Sequence, residues 1–159
     1  MGSRSEIDLA YIAGFLDGDG SLMLQLKKRS DSKRSIRFMS TICFYQDTRH
    51  KDTLEWIKGT LGIGYLSDRK DGMTELRING FKQVNLIIQL LAPYIKFKRS
   101  QSIALLEATK LLSEKHLKDL SEEVLRRVIT LIVLIQHHNY STRSKRSEEE
   151  LLSILGLTP

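Results

Sequence analysis

Residues 12–20 read Ile12-Ala13-Gly14-Phe15-Leu16-Asp17-Gly18-Asp19-Gly20 and join an apolar segment directly to two carboxylates. Ser5 and Asp8 form a typical helix start, and almost every residue from 9 to 16 is apolar or small, which predicts a helix buried on all sides. The last turn of a helix carries a partial negative charge, so two carboxylates there are unfavourable unless something compensates them. They either cap a turn into the next strand or bind a cation such as Mg²⁺, and both interpretations remain open.

Small residues recur along the same predicted helix, at Ala10, Ala13, Gly14 and Gly18. Side chains of this size allow two helices to approach backbone to backbone. The pattern therefore predicts a close helical partner, which includes the possibility of a second copy of the chain.

The region after the motif alternates between strand and helix signals. Polar and apolar residues alternate over 21–29 and again over 36–45, the pattern of half-buried strands. A helix capped by Asp47 or Thr48 ends at Gly62, strands are predicted over 64–68 and 73–79, and a helix over 81–91.

The remaining sequence predicts helices over 99–112 and 121–138 and a short last helix that begins at Ser147. The fold class expected is α+β, with a four-stranded antiparallel sheet and helices packed on one of its faces. We expect one domain over 1–159, made of an αββαββα core in 1–98 and a helical part in 99–159.

Composition excludes several classes of protein. The chain has 159 residues, a net charge of +6 and a pI of about 9.5, which suggests a polyanionic partner. No apolar run is long enough for a membrane span, and no secretory signal is recognisable, so we expect an intracellular protein with access to DNA, in a prokaryotic cytoplasm or an organelle matrix. The single cysteine, Cys43, excludes an intramolecular disulfide and a cysteine-based zinc site.

The positive charge is concentrated on the first two predicted strands and their loop, where residues 21–51 hold eight Lys and Arg against two Asp. Arg, Lys, Gln and Asn are the side chains that read base edges, although a solvated sheet face and flexible loops would also explain them. The candidate DNA contacts are Ser21, Met23, Gln25, Lys27, Arg29, Lys33, Arg34, Arg37, Met39, Thr41, Cys43, Ser67, Arg69, Glu75, Arg77 and Asn79, with Ser141, Thr142, Arg143 and Lys145 in a later basic segment.

Residues 12–20 resemble the signature motif of the LAGLIDADG homing endonucleases, and the predicted order of strands and helices resembles the core of that family. A single copy of the motif implies the homodimeric branch, in which two motif helices pack on a two-fold axis and the DNA site is pseudo-palindromic. The resemblance places Ile12, Ala13, Gly14, Asp17 and Gly18 at the dimer interface.

The resemblance also implies the active-site residues. Asp19 would be the catalytic metal ligand, with the Gly18 carbonyl beside it, and Gln46 and Lys98 would complete the catalytic set. Mg²⁺ is the expected cofactor, Mn²⁺ would substitute, and Ca²⁺ would bind without supporting cleavage. Gln46 could instead be a hydrogen-bonding residue at a strand end, and Lys98 a phosphate-binding lysine. The family often has a basic residue where this chain has His50, between Arg49 and Lys51, so the role of these three stays open.

The function expected from the resemblance is site-specific cleavage of both strands of double-stranded DNA by metal-dependent phosphodiester hydrolysis, encoded in an intron or intein. The alternative is a non-catalytic nucleic-acid binder on the same scaffold, either an RNA maturase or a DNA-binding repressor. A general protein-interaction domain would leave the two carboxylates at the helix end unexplained.

Overall fold

The computed structural model describes residues 4–28, 35–139 and 145–159. Six of the candidate DNA contacts lie outside these described residues, namely Arg29, Lys33, Arg34, Ser141, Thr142 and Arg143. The other candidate residues all lie within them.

The first helix, α1, extends over Glu6–Asp19 and therefore includes both motif carboxylates. Its N-terminus is capped as predicted, because the Ser5 hydroxyl accepts a hydrogen bond of 3.1 Å from the Asp8 N–H. The strand β1, Gly20–Lys28, follows without a loop. The helix therefore delivers Asp19 directly to the start of the sheet.

The sheet has four antiparallel strands in the order β1-β2-β4-β3, with β2 over Ile36–Asp47, β3 over Tyr65–Asp68 and β4 over Met73–Asn79. Gly20 pairs with Phe44, and Lys28 pairs with Ile36. The sequence-based prediction of the fold class is confirmed, as is the alternation of buried and outward residues along β1.

The remaining helices are α2 (Asp52–Leu61), α3 (Phe81–Leu91), α4 (Arg99–Glu114), α5 (Glu122–His138) and α6 (Glu148–Ile154). One prediction was wrong: Asp47 caps a 3-10 turn over Thr48–His50, and α2 begins only at Asp52. Within the described residues, no helix is long and apolar enough to cross a membrane.

The core lies between one face of the sheet and the helices. Leu22, Leu24 and Leu26 of β1 are at most 3% exposed and point into it, and β2 and β4 add Ile42, Phe44, Leu76 and Ile78. The opposite sheet face carries polar side chains. Burial of one face therefore fixes which side chains the other face presents to a partner, because successive strand residues alternate.

Two C-terminal side chains cover the free edge of β1. Asn139 donates from Nδ2 to the Leu22 carbonyl at 3.1 Å, and Arg146 donates from a terminal nitrogen to the Leu26 carbonyl at 2.9 Å. The segment after α5 is thereby attached to the first strand of the sheet.

Candidate active site and DNA-binding face

Asp17 connects the end of α1 to the turn that precedes α4. Its carboxylate accepts hydrogen bonds from the backbone N–H groups of Lys96, Phe97 and Lys98, at 2.7, 3.0 and 3.0 Å. The negative charge thus lies beside the positive N-terminal end of another helix, which compensates its unfavourable place at the end of α1. Asp17 was expected to cap its own helix and support a dimer interface, but the structure uses its carboxylate within the chain.

Lys98 is held against the same helix end. Its ammonium donates to the Asp17 carbonyl at 2.7 Å and lies 5.3 Å from the centre of the Phe97 ring, and the residue is only 8% exposed. Burial lowers the pKa of Lys98, while the charges of Asp17 and Asp19 oppose this effect. A groove of about 610 Å³ lies beside Lys98 and Gly18 and continues along β1, so the site is open to solvent.

Asp19 presents a free carboxylate. The residue is exposed at the last position of α1, and its side chain has no hydrogen-bond or ion-pair partner among the described residues. The backbone carbonyls of the last helical turn, including that of Gly18, also lack partners within a helix. A carboxylate and a carbonyl are thus left together at a point of negative potential, where a cation is stabilised.

Gln46 lies on β2 two residues beyond Phe44, which pairs with Gly20, and therefore at the same end of the sheet as Asp19. Its Oε1 accepts the Asp47 N–H at 2.8 Å, which leaves the side-chain amide N–H groups to donate elsewhere. This hydrogen bond agrees with the open alternative of a strand-end residue and is also compatible with a role at the site.

The three basic residues after β2 differ in their partners. Arg49 makes a bidentate pair with Asp47, at 3.0 and 2.8 Å, and this pair holds the pKa of the Asp47 carboxyl well below its usual range. Lys51 lies 4.0 Å from Asp68. His50 is exposed and makes no hydrogen bond or ion pair with the part of the chain that is described, so it is the one of the three that is left for an external group.

The outer face of the sheet has side chains in cross-strand rows. One row is Ser21, Cys43, Arg77 and Tyr65, and the next is Met23, Thr41 and Asn79. Most of the predicted DNA contacts are at least partly accessible on this face or at its ends, namely Ser21, Met23, Gln25, Lys27, Arg37, Met39, Ser67, Arg69, Arg77 and Asn79. Lys145 is exposed in the C-terminal part.

Three predicted DNA contacts on this face are buried instead. Cys43 is 0% exposed, Thr41 is 3% exposed and Glu75 is 6% exposed. They lie on the two central strands, where short or retracted side chains are covered by longer neighbours; Thr41 also donates to Asn79 Oδ1 at 2.7 Å. Burial raises the pKa of the Cys43 thiol to about 11, so this side chain behaves as a packing residue and not as a reactive surface thiol.

Two tyrosines of the outer face were missed in the sequence analysis. Tyr65 is 48% exposed, and its hydroxyl accepts from Asn79 Nδ2 at 3.1 Å. Tyr45 shares a 2.8 Å hydrogen bond with Ser21, and burial raises the pKa of its phenol to about 12. Both continue the same alternation as Cys43 and Arg77, so the strand period was the signal that could have found them.

The predicted dimer-interface residues separate into two groups. Ile12 and Ala13 are 0% exposed within the chain's own core, so their assignment to an interface was wrong. Gly14 and Gly18 are exposed, and a Cβ atom at either would meet nothing within 4 Å. They lie in line with Ile7 and Tyr11, which are 81% and 55% exposed, so α1 is not buried on all sides as predicted but has one apolar exposed face.

The sequence model of the LAGLIDADG endonuclease family matches residues 12–112, more than half of the chain. DNA endonuclease I-CvuI of Chlorella vulgaris is 34% identical over 109 residues, which cover 67% of this chain and 66% of I-CvuI. DNA endonuclease I-CreI of Chlamydomonas reinhardtii is 28% identical over 148 residues, which cover 92% of this chain and 88% of I-CreI.

Solved structures give the same result. The crystal structure of the homing endonuclease I-CvuI in complex with the I-CreI target superposes with a TM-score of 0.84 at 26% identity, over 95% of this chain and 94% of that chain. An archaeal intron-encoded homing endonuclease, I-Vdi141I, complexed with DNA has a TM-score of 0.80 at 22% identity, over 95% and 96% of the two chains, and shows the shared fold. The motif at residues 12–20, the sheet and these matches together show that the chain belongs to the LAGLIDADG endonuclease family.

Proposed function

We propose that the chain is a site-specific homing endonuclease that acts as a homodimer and cleaves both strands of a long, pseudo-palindromic DNA duplex. The observation that carries this proposal is the exposed, unpartnered carboxylate of Asp19 at the end of α1, beside a basic sheet face. The relatives support it, because I-CvuI and I-CreI are DNA endonucleases and I-CvuI has been crystallised with DNA.

The donor set of the site fits a hard divalent cation. Asp19 would provide a carboxylate and Gly18 a carbonyl, and Mg²⁺ accepts such oxygens together with water and phosphate. Within the described residues no three His, Cys, Asp or Glu side chains cluster as a complete metal site, which agrees with a site that a second chain and the DNA complete. A bound cation would neutralise phosphate oxygens and lower the pKa of a water nucleophile.

The preferred cofactor in this proposal is Mg²⁺. Mn²⁺ would substitute for it, whereas Ca²⁺ would support binding without cleavage. Crystals of I-CvuI with DNA have been grown both with Mg and with Ca, and the DNA was not cleaved in one structure at 2 mM Mg.

The other residues of the site have separate tasks in this proposal. Lys98 stabilises the charge that develops at the scissile phosphate, since its ammonium lies at the same helix end as Asp19 and feels its charge. Gln46 and His50 are available to orient water or phosphate oxygens near the end of β2. Asp17 fixes the 96–98 turn and thereby the position of Lys98.

Target recognition is assigned to the outer face of the sheet. Strands of about nine residues extend over roughly 30 Å, enough for about nine base pairs, so two chains would read on the order of 20 base pairs. The activity requires DNA in the same compartment, so we place the protein in a cell or organelle interior that contains DNA.

Cleavage in the presence and absence of metal tests the function. We expect wild-type protein with Mg²⁺ to cleave both strands of a duplex that contains its insertion site, and EDTA to abolish cleavage. Asp19→Asn should bind the duplex with similar affinity and lose at least a hundredfold in cleavage rate, since a hundredfold corresponds to about 2.7 kcal/mol of transition-state stabilisation.

The same experiment separates the proposal from its alternative. A maturase or repressor would bind nucleic acid equally well before and after Asp19→Asn and would cut nothing with any divalent metal. An Asp19→Asn variant that cuts at the wild-type rate would remove Asp19 from the active site.

A further inference from the structure

Glu75 lies beneath two arginines of the outer sheet face. Its Oε2 accepts from Arg77 Nε at 2.6 Å, and its Oε1 accepts from a terminal nitrogen of Arg69 at 3.2 Å. The Glu75 side chain is 8% exposed, while Arg77 and Arg69 are 37% and 45% exposed. The carboxylate is therefore inside the sheet face and the two cations are outside it.

This arrangement excludes Glu75 from direct contact with a large polyanion. Both of its oxygens are occupied, and a buried carboxylate that lost its arginines would remain as an uncompensated charge. The pairs are also short and nearly enclosed, so they are stronger than ordinary ion pairs on the protein surface.

The free donors of Arg77 indicate what the pairs achieve. Arg77 uses its Nε–H for Glu75, and its two terminal nitrogens make no hydrogen bond with the described residues. Recognition of guanine O6 and N7 in the major groove uses two such donors held in one plane. A guanidinium fixed at Nε offers them without the loss of side-chain freedom that an unattached arginine would suffer on binding.

Arg69 is restrained by the same carboxylate from the opposite side. One of its terminal nitrogens contacts Glu75 and the other contacts Asp71 at 2.5 Å, in the turn between β3 and β4. The two arginines thus share one support, and a change at that support alters both.

We propose that Glu75 is a positioning residue that orients Arg77 and Arg69 toward neighbouring base pairs and so sets base preference in this part of each half-site. The inference rests on the proposed function, because it requires sequence-specific DNA binding by the sheet face. It replaces the direct DNA contact that the sequence suggested for Glu75.

A binding selection tests the proposal without any need for cleavage. Wild-type protein and variants are incubated with a duplex library randomised along its length, in EDTA, and bound DNA is sequenced. Glu75→Gln keeps the size of the side chain and removes its charge. We expect its preference at the base pairs read by Arg77 and Arg69 to fall on the order of tenfold, with the preference elsewhere in the half-site unchanged.

Glu107→Gln is the matched control. Glu107 accepts from Arg127 Nε at 2.6 Å and from a terminal nitrogen at 2.9 Å, so this variant breaks another Arg–Glu pair and changes the net charge by the same amount. The pair joins α4 and α5, away from the sheet face. Its preference profile should match that of the wild type.

The double variant provides a second measurement. Arg77→Ala with Glu75→Gln should lose no more preference at the Arg77 position than Arg77→Ala alone, because the arginine through which Glu75 acts is gone. Glu75→Asp, which keeps the charge on a shorter side chain, should retain part of the preference and serves if Glu75→Gln does not fold.

Several results would overturn the inference. Equal loss at every position, or a Glu75→Gln profile that matches Glu107→Gln, would show that Glu75 only supports the fold. A wild-type protein that selects a sequence but does not cleave it with Mg²⁺ would overturn the endonuclease function and leave the positioning role standing. A wild-type protein that enriches no base would overturn both.

Discussion

Asp17 and Asp19 lie two residues apart at the end of α1, and their carboxylates have opposite surroundings. Asp17 accepts three backbone hydrogen bonds, whereas Asp19 is exposed without a partner in the described chain. The sequence indicated that the pair was unfavourable at a helix C-terminus but not which member had a partner within the fold. The partner of Asp17 is about eighty residues away along the chain, and only the folded structure brings it close.

Neutralising these two carboxylates should change stability in opposite directions. Asp17→Asn keeps one acceptor oxygen and loses charge-assisted hydrogen bonds, so we expect the free energy of unfolding to fall by about 2 kcal/mol. Asp19→Asn removes a negative charge from a helix C-terminus and should raise it by about 0.5 kcal/mol. Urea unfolding in EDTA measures both. A loss of stability in Asp19→Asn would mean that its carboxylate has a partner in the fold.

Individual elements were largely predictable because local signals agree with the tertiary structure. The cap at Ser5, the Gly62 end of α2 and the bounds of β4 follow from hydrogen bonding and strand period alone. The burial of Cys43 could not be predicted in this way, because it depends on which strands are central in the sheet. The same holds for Ile12 and Ala13, since an apolar residue in a helix does not reveal which of two partners it packs against.

The exposed glycine of α1 gives a test at the scale of the helix. Gly14 has a helical conformation and open space around its missing Cβ, so Gly14→Ala should stabilise the isolated helix by up to about 1 kcal/mol. In the proposed dimer the same methyl group would separate two closely packed helices. We therefore expect Gly14→Ala to weaken dimerisation at least tenfold in sedimentation equilibrium.

Gly59 of α2 is the matched control, because a Cβ there also meets nothing within 4 Å. Gly59→Ala should gain similar helix stability and leave the dissociation constant of the dimer unchanged. If Gly14→Ala dimerises as well as Gly59→Ala does, the face of α1 that includes Gly14 is not the interface.

At the scale of the whole molecule, a net charge of +6 is divided between the sheet face and the C-terminal region. Electrostatic attraction to phosphates acts without regard to sequence, whereas the supported arginines of the sheet act at particular bases. Two copies in a dimer would double the charge. Affinity and specificity therefore reside in different side chains, and their dependence on salt should differ.

Lys145 tests the sequence-independent part of binding. Lys145→Ala should weaken DNA binding by a similar factor for all sequences and reduce the slope of log K against log salt by about 1. Lys110→Ala, on the exposed side of α4, serves as the control and should leave the slope near that of the wild type. A base-specific loss in Lys145→Ala would contradict a simple phosphate contact.

The hydrogen bonds from Asn139 and Arg146 to β1 also restrict how chains can assemble. An uncovered edge strand is a template on which another chain can add a strand, and repeated addition leads to aggregates. With the carbonyls of Leu22 and Leu26 already occupied, growth through the sheet is obstructed at that edge. A protein that must pair once, through a helix, and then stop is thereby protected from open-ended polymerisation.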